Sequence, residues 1–193
     1  MYDMISKIKE QFRESVSVKE AFLSHEASME ALDKAVNLII DSIKSGHKIL
    51  WAGNGGSAAD AQHMAAEFVN KFSLERPGMA SVALTTDTSV LTSIGNDYGY
   101  SRVFARQIEA LGMPGDVFVG ISTSGNSENL LQALKACRER GVKAVALVGG
   151  NACRMDDYDI VIHVPSTLTP RIQECHTLIG HIICDLTEKS IYG

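Results

Sequence analysis

The stretch Lys48-Ile-Leu-Trp-Ala-Gly-Asn-Gly-Gly-Ser57 constrains this chain more than any other, because an apolar run stops at glycines and passes into a helix-forming segment. A buried strand, a glycine turn and a helix together let backbone approach a ligand closely, and they aim unpaired helix N–H groups at any anion that arrives. Gly53, Gly55 and Gly56 supply the turn. His63 and Glu67 follow within the helical segment, four residues apart. On a helix they share one face. That arrangement suits two ligands of a metal, or a ligand beside a carboxylate base. The plain alternative is a packing histidine beside a solvated glutamate.

With 193 residues, 45% hydrophobic and 21% charged, the chain has the make-up of one soluble globular domain. A net charge of −5 and a pI near 5.7, with no basic stripe interleaved with aromatics, argue against nucleic acid as a partner. The first ten residues alternate charge with apolar side chains and lack a secretory core, and no apolar run approaches the roughly 18 residues of a membrane helix. The expected location is the cytoplasm, with no membrane partner. Cys137, Cys153, Cys175 and Cys184 lack CxxC spacing and read as reduced thiols.

Periodicity divides residues 1–193, read as a single domain, into a helical hairpin over 1–46 and a sheet with flanking helices over 47–193. The hairpin breaks near Ser24-His25-Glu26. Apolar strands are expected at 49–52, 81–84, 117–121, 144–148 and 160–163, alternating with helices at 57–71, across 87–111, at 127–140 and from about 170 to 191. Continuous apolar strands alternating with helices imply an α/β fold, a parallel sheet covered on both faces. Polar loops follow two strands, at 53–57 and 122–127, where doubly wound sheets bind ligands.

Ser122-Thr-Ser-Gly-Asn-Ser127 offers several hydroxyls beside helix N–H groups, a cradle for a phosphate dianion without lysine. Its plain alternative is a turn with Ser127 as helix cap. No GxGxxG follows the first strand and no GxxxxGK[ST] occurs, so a sugar phosphate suits the loop better than a nucleotide. Gly95-Asn96-Asp97 is expected to interrupt the helical region, as a cap or loop or as a holder of sugar hydroxyls. Gln173, His176 and His181 stand in an otherwise apolar final helix, where buried polar groups need partners. Gln173 and His181 lie roughly 12 Å apart along such a helix and about 80° apart around it, which leaves room for one of them to act across a subunit interface. His176 is assigned a structural role, and His25, His47 and His163 are left as surface or core histidines.

The segments GNGGSAADAQHMAAEF, LTTDTSVLTSIGNDYG, ISTSGNS and RIQECHTLIGH resemble the phosphoheptose isomerases, a branch of the sugar isomerase (SIS) domain family, over nearly the whole chain. The resemblance implies a doubly wound five-stranded parallel sheet, a hairpin used in assembly, and a homotetramer with shared active sites. It implies conversion of sedoheptulose 7-phosphate to D-glycero-D-manno-heptose 7-phosphate for bacterial surface heptose. It further implies that Asn54, Gly55, Gly56, Asn96 and Asp97 hold the sugar, and that Ser122, Thr123, Ser124 and Ser127 hold the phosphate. Glu67 would be the base and His181 the second proton-transfer group. His63, Glu67, Gln173 and His181 would present themselves to zinc, one per subunit, and Glu67 and Gln173 would also meet the substrate.

Two positions depart from the family pattern: Lys71 replaces a common arginine, and Pro170 precedes Arg171 where some members carry an acid. Lysine lacks the bidentate fork, so these departures bear on substrate preference. Two other readings stand beside this one. A non-enzymatic SIS protein that binds the bacterial replication initiator shares the GNG, ISTxGNS and RIQE segments, but typically lacks histidine at the position of His181. An isomerase of another ketose phosphate would present the same motifs.

Overall fold

The computed structural model describes residues 3–193. Helices α1 (Met4–Leu23) and α2 (Glu26–Lys44) form the N-terminal hairpin. The break between them is chemical: His25 occupies the N-cap of α2, its Nδ1 accepting from the Ser28 N–H at 3.3 Å. Then follow β1 (Ile49–Gly53), α3 (Gly56–Val69), β2 (Ser81–Ala83), α4 (Thr88–Tyr98), α5 (Ala105–Leu111), β3 (Val117–Ile121), α6 (Glu128–Arg140), β4 (Lys143–Val148), β5 (Ile160–His163) and α7 (Thr169–Tyr192). Every strand pair is parallel and the order is β2-β1-β3-β4-β5. This is the expected doubly wound five-stranded sheet with its helical hairpin.

Strand periodicity sorts the core into two layers. Ile49 and Trp51 of β1, with Val117, Val119 and Ile121 of β3, face α2, α3 and α7. Leu50, Ala52 and Phe118 face α5 and α6. Burial of both faces explains why these strands read as unbroken apolar runs. At the start of α7, Pro170 sits where its missing N–H costs nothing. Arg171 beside it donates to the Gln11 carbonyl at 3.1 Å and pairs with Glu14 at 3.2 Å, tying α7 to α1.

The expected interruption at Gly95-Asn96-Asp97 is absent: all three lie inside α4. A single helical glycine costs only about 1 kcal/mol relative to alanine. The stop comes at Gly99, whose φ of 84° takes the chain out of the helix. Helix α3 is likewise shorter than expected, ending at Val69, so that Lys71 lies beyond it and pairs with Glu75.

Two buried polar features hold α7. The Glu188 carboxylate and the Arg76 guanidinium, 0% and 1% exposed, pair at 2.9 Å and fasten the segment after α3 to the helix. Burial works to raise the Glu188 pKa, but N–H groups of Phe72, Leu74 and Ser73 and the Ser73 hydroxyl outweigh it and bring it down to about 2. His176 is 1% exposed, with Nε2 3.3 Å from the Val148 carbonyl and Nδ1 unpartnered among the described residues.

Burial disfavours the imidazolium of His176 and brings its pKa down to about 4, against a smaller opposing pull from the Val148 carbonyl. The unfolded chain protonates this group near 6.5 and the folded chain only near 4. Between those values the unfolded state binds more protons, so stability falls as pH falls. From pH 7 to pH 4.5 the loss from His176 should be about 2–3 kcal/mol. Urea midpoints should show it, and His176→Leu should remove that share of the pH dependence.

Candidate active site

The strand register brings the two polar loops together. Gly53 pairs with Ile121, the last residues of β1 and β3, so the 53–57 and 122–127 loops leave adjacent strands at one edge. In the order β2-β1-β3-β4-β5 this is the point where successive connections diverge and a crevice opens. Two glycines shape the first loop. Gly55 has φ +55, and a Cβ on Gly56 would sit 2.0 Å from Gln173 Nε2, so the amide of Gln173 packs directly against that backbone. The side chain of Asn54 exchanges hydrogen bonds with Asn129 at 3.1 and 2.8 Å and accepts one from the Tyr100 hydroxyl at 3.2 Å, lacing the loop to α6.

In the second loop the hydroxyls turn toward one another. Ser122 Oγ lies 3.4 Å from Ser124 Oγ and 3.2 Å from Ser127 Oγ, and it accepts from the Gly125 N–H at 3.1 Å. Ser127 occupies the N-cap position of α6 yet makes no side-chain cap bond, so the first turn of that helix keeps donors for an anion. Thr123 and Ser124 also line a polar cavity of about 330 Å³ with Asn126, Gly150, Asn151 and Ser166.

Helix α3 forms readily because alanine fills much of it. It carries His63 and Glu67 on the face that meets α7, with His63 Nε2 3.1 Å from Glu67 Oε1. The His181 ring of α7 meets the His63 ring edge-on at 4.9 Å, and Phe72 covers His181 from another side at 5.6 Å. The two histidines and Glu67 therefore cluster, while Gln173 stands two turns earlier on α7, against Gly56. Asn96 and Asp97 are exposed on α4, where Asn96 Nδ2 donates to Asp97 Oδ1 at 2.8 Å and neither side chain hydrogen-bonds to the loops.

Two imidazoles and a carboxylate are donor types that zinc takes. Among the described residues, however, no three His, Cys, Asp or Glu side chains converge as a cage. His63 Nε2 is spent on Glu67, and the amide of Gln173 lies apart. The donors fit the ion in kind, but the described residues do not gather them into a cage.

Three site residues escape a sequence reading. Asp60 accepts from the Thr177 hydroxyl at 2.9 Å and so joins α3 to α7 between Gln173 and His181. Burial raises its pKa, opposed by the Thr177 hydrogen bond and by the nearby His63 and His181. The signal was available, since positions 60, 63 and 67 share a helix face. Asn129 and Tyr100 carried no comparable signal, because their partner Asn54 is distant in sequence.

A parallel sheet of this order, with a hydroxyl-rich loop at its switch point, is the architecture of an SIS domain, and a profile of the family described as SIS domain matches residues 11–149. The chain is 53% identical over its full length, and 96% of the relative's, to phosphoheptose isomerase 2 of Campylobacter jejuni. It is 54% identical, over 96% of its length and 94% of the relative's, to a phosphoheptose isomerase of Aneurinibacillus thermoaerophilus. It superposes with a TM-score of 0.89 and 43% identity on a phosphoheptose isomerase structure from Neisseria gonorrhoeae, covering 96% of this chain and 99% of that one. The chain belongs to the SIS domain family, and within it to the phosphoheptose isomerases.

Hydrogen bonds to a charged group contribute about 1.5–3 kcal/mol. The double substitution Ser122→Ala with Ser124→Ala should therefore weaken binding of a sugar phosphate by roughly tenfold or more, as measured by calorimetric titration.

Proposed function

We propose that this protein interconverts sedoheptulose 7-phosphate and D-glycero-D-manno-heptose 7-phosphate, an aldose–ketose isomerisation that supplies heptose for bacterial surface glycans. One observation carries the reading: Glu67 and His181, from different helices, both stand against His63 on the helix that the glycine turn opens. Phosphate would be held by Ser122, Thr123, Ser124 and Ser127 with the first N–H groups of α6. Asn54, Gly55, Gly56 and Gln173 would bound the sugar chain.

The ketose has its carbonyl at C2 and a hydroxyl at C1, and the aldose reverses them. Glu67 takes a proton from C1 and returns it to C2, passing through an enediol. His181 carries the accompanying proton from O1 to O2, so atoms balance without a redox partner. Zinc held by His63, Glu67 and His181, with Gln173 as the further donor, would polarise the carbonyl when bound. A tightly coordinated Glu67 is a weaker base, so the ion and the base compete for one carboxylate.

Assembly into a homotetramer accounts for what the single chain leaves open. Ile5, Ile8, Phe12 and Val16 recur at helical spacing on α1 and are 50–70% exposed. An apolar groove of about 330 Å³ runs between the hairpin and α7, past Phe22, Leu32, Val36, Leu178, Ile182 and Leu186. Contiguous exposed apolar surface of this kind marks an interface. In such an assembly a neighbour would complete each crevice, giving exposed Asn96 and Asp97 a sugar to meet. No helix among the described residues is long and apolar enough to cross a membrane, and a cytoplasmic site of action suits a phosphorylated sugar. His181, standing against His63, favours the enzyme over an initiator-binding protein.

The decisive experiment incubates purified protein with sedoheptulose 7-phosphate and follows the aldose by NMR, with and without a chelator. Product should form, and chelation should slow it. Glu67→Gln should lower turnover by roughly 10²–10⁴-fold, the range of a general base, while substrate binding and assembly persist. His181→Asn at normal activity would remove its proton-transfer role.

A further inference from the structure

The two groups assigned to proton transfer sit on different helices, so the reaction depends on how α3 and α7 are held together. Below them lies a buried charge network outside the crevice. Glu188 Oε1 accepts from the Phe72 N–H at 2.8 Å and from Arg76 Nε at 2.9 Å. Its Oε2 accepts from the N–H groups of Ser73 and Leu74 at 2.7 and 2.8 Å and from the Ser73 hydroxyl at 2.9 Å. Arg76 also donates to carbonyls at the end of α3, Nη2 to Glu67 at 2.9 Å and Nη1 to Phe68 at 2.8 Å and Asn70 at 3.3 Å, and Nη1 meets the Pro77 carbonyl at 3.0 Å as well. The carbonyls of Glu67, Phe68 and Asn70 are the last of the helix and have no partner within it.

Each arm of the network ends on a group of the site. Through Arg76 it grips the backbone carbonyl of Glu67 itself. Through the Phe72 N–H it fixes the residue whose ring lies 5.6 Å from the His181 ring, tilted 47°. Glu188 also follows His181 by seven residues on α7, two turns along the same face. A fold that needed only to close the 70–78 segment could do so with apolar residues, since a buried ion pair is weak as a source of stability.

We propose, resting on the isomerase reading above, that Glu188 and Arg76 are positioning residues that set Glu67 and His181 at their working separation. The network touches no substrate. It acts on one helix through the Glu67 carbonyl and on the other through the Phe72 ring that lies against His181. A misplacement of about 1 Å at a reacting centre costs on the order of 10²-fold in rate. The hydroxyl loop, on the neighbouring strand, is outside its reach. Loss of the network therefore lowers kcat and spares KM.

The test compares full-length wild type with Glu188→Gln and Phe72→Leu. kcat and KM for sedoheptulose 7-phosphate are measured well below each melting temperature, with the folded fraction read by circular dichroism. The expected result is a kcat lower by roughly tenfold or more in Glu188→Gln and severalfold in Phe72→Leu, with KM within about twofold of wild type. A kcat loss no larger than the loss of folded protein, or a raised KM at constant kcat, overturns the proposal. Phe72→Leu leaves the ion pair intact and decides the matter should Glu188→Gln not fold. Alongside, the His181 imidazole resonance is recorded by NMR at fixed pH without substrate. Its ring-current displacement by Phe72 should shrink in Glu188→Gln, and an unchanged resonance in that variant overturns the positioning role. Wild-type protein that turns over no sugar phosphate would defeat the isomerase reading alone, and the resonance would still decide the positioning.

Discussion

Everything distinctive in this molecule depends on the close packing of α3 against α7. The helices approach so tightly at Gly180 that a Cβ there would lie 2.3 Å from the Met64 sulfur. Above that contact Asp60 bonds to Thr177, and below it Arg76 joins the carbonyl end of α3 to Glu188. His63, Glu67, Gln173 and His181 are all carried on these two helices. Removing a side chain at Gly180 lets the backbones close, and buried polar contacts then fix the register along the pair.

The sheet supplies the other half of the design. Parallel strands end together at one edge, and the order β2-β1-β3-β4-β5 opens its crevice between β1 and β3. One wall is glycine, where backbone must come close. The other is hydroxyl and amide, where an anion can be held without a fixed positive charge. The lacing of Asn54 to Asn129 and Tyr100 fixes the spacing of the two walls.

Much of the fold was legible because its signals are local. Unbroken apolar runs in β1 and β3, the glycines after β1 and the polar break at His25 each follow from a few adjacent residues. Gly95 misled for a related reason: glycine weakens a helix without ending one, and only the positive φ at Gly99 stops α4. In the final helix, polar residues in apolar surroundings drew attention to Gln173, His176 and His181. The same rule applied with equal force to Glu188, whose partners at 72–76 lie more than a hundred residues away and in a segment without periodicity.

The sequence by itself determined the class of fold, the two polar loops and the candidate groups on α3 and α7, because helix and strand periods, glycine geometry and side-chain chemistry are properties of short stretches. Only the tertiary structure decided which of those groups meet. His181 stands against His63 because two helices pack at a glycine. Gln173 lies against Gly56 because a second glycine admits it. Asp60, Asn129 and Arg76 took their roles from partners distant in the chain. Such pairings depend on interhelical distance and strand register, which are set by the packing of the whole core and by no local stretch of residues.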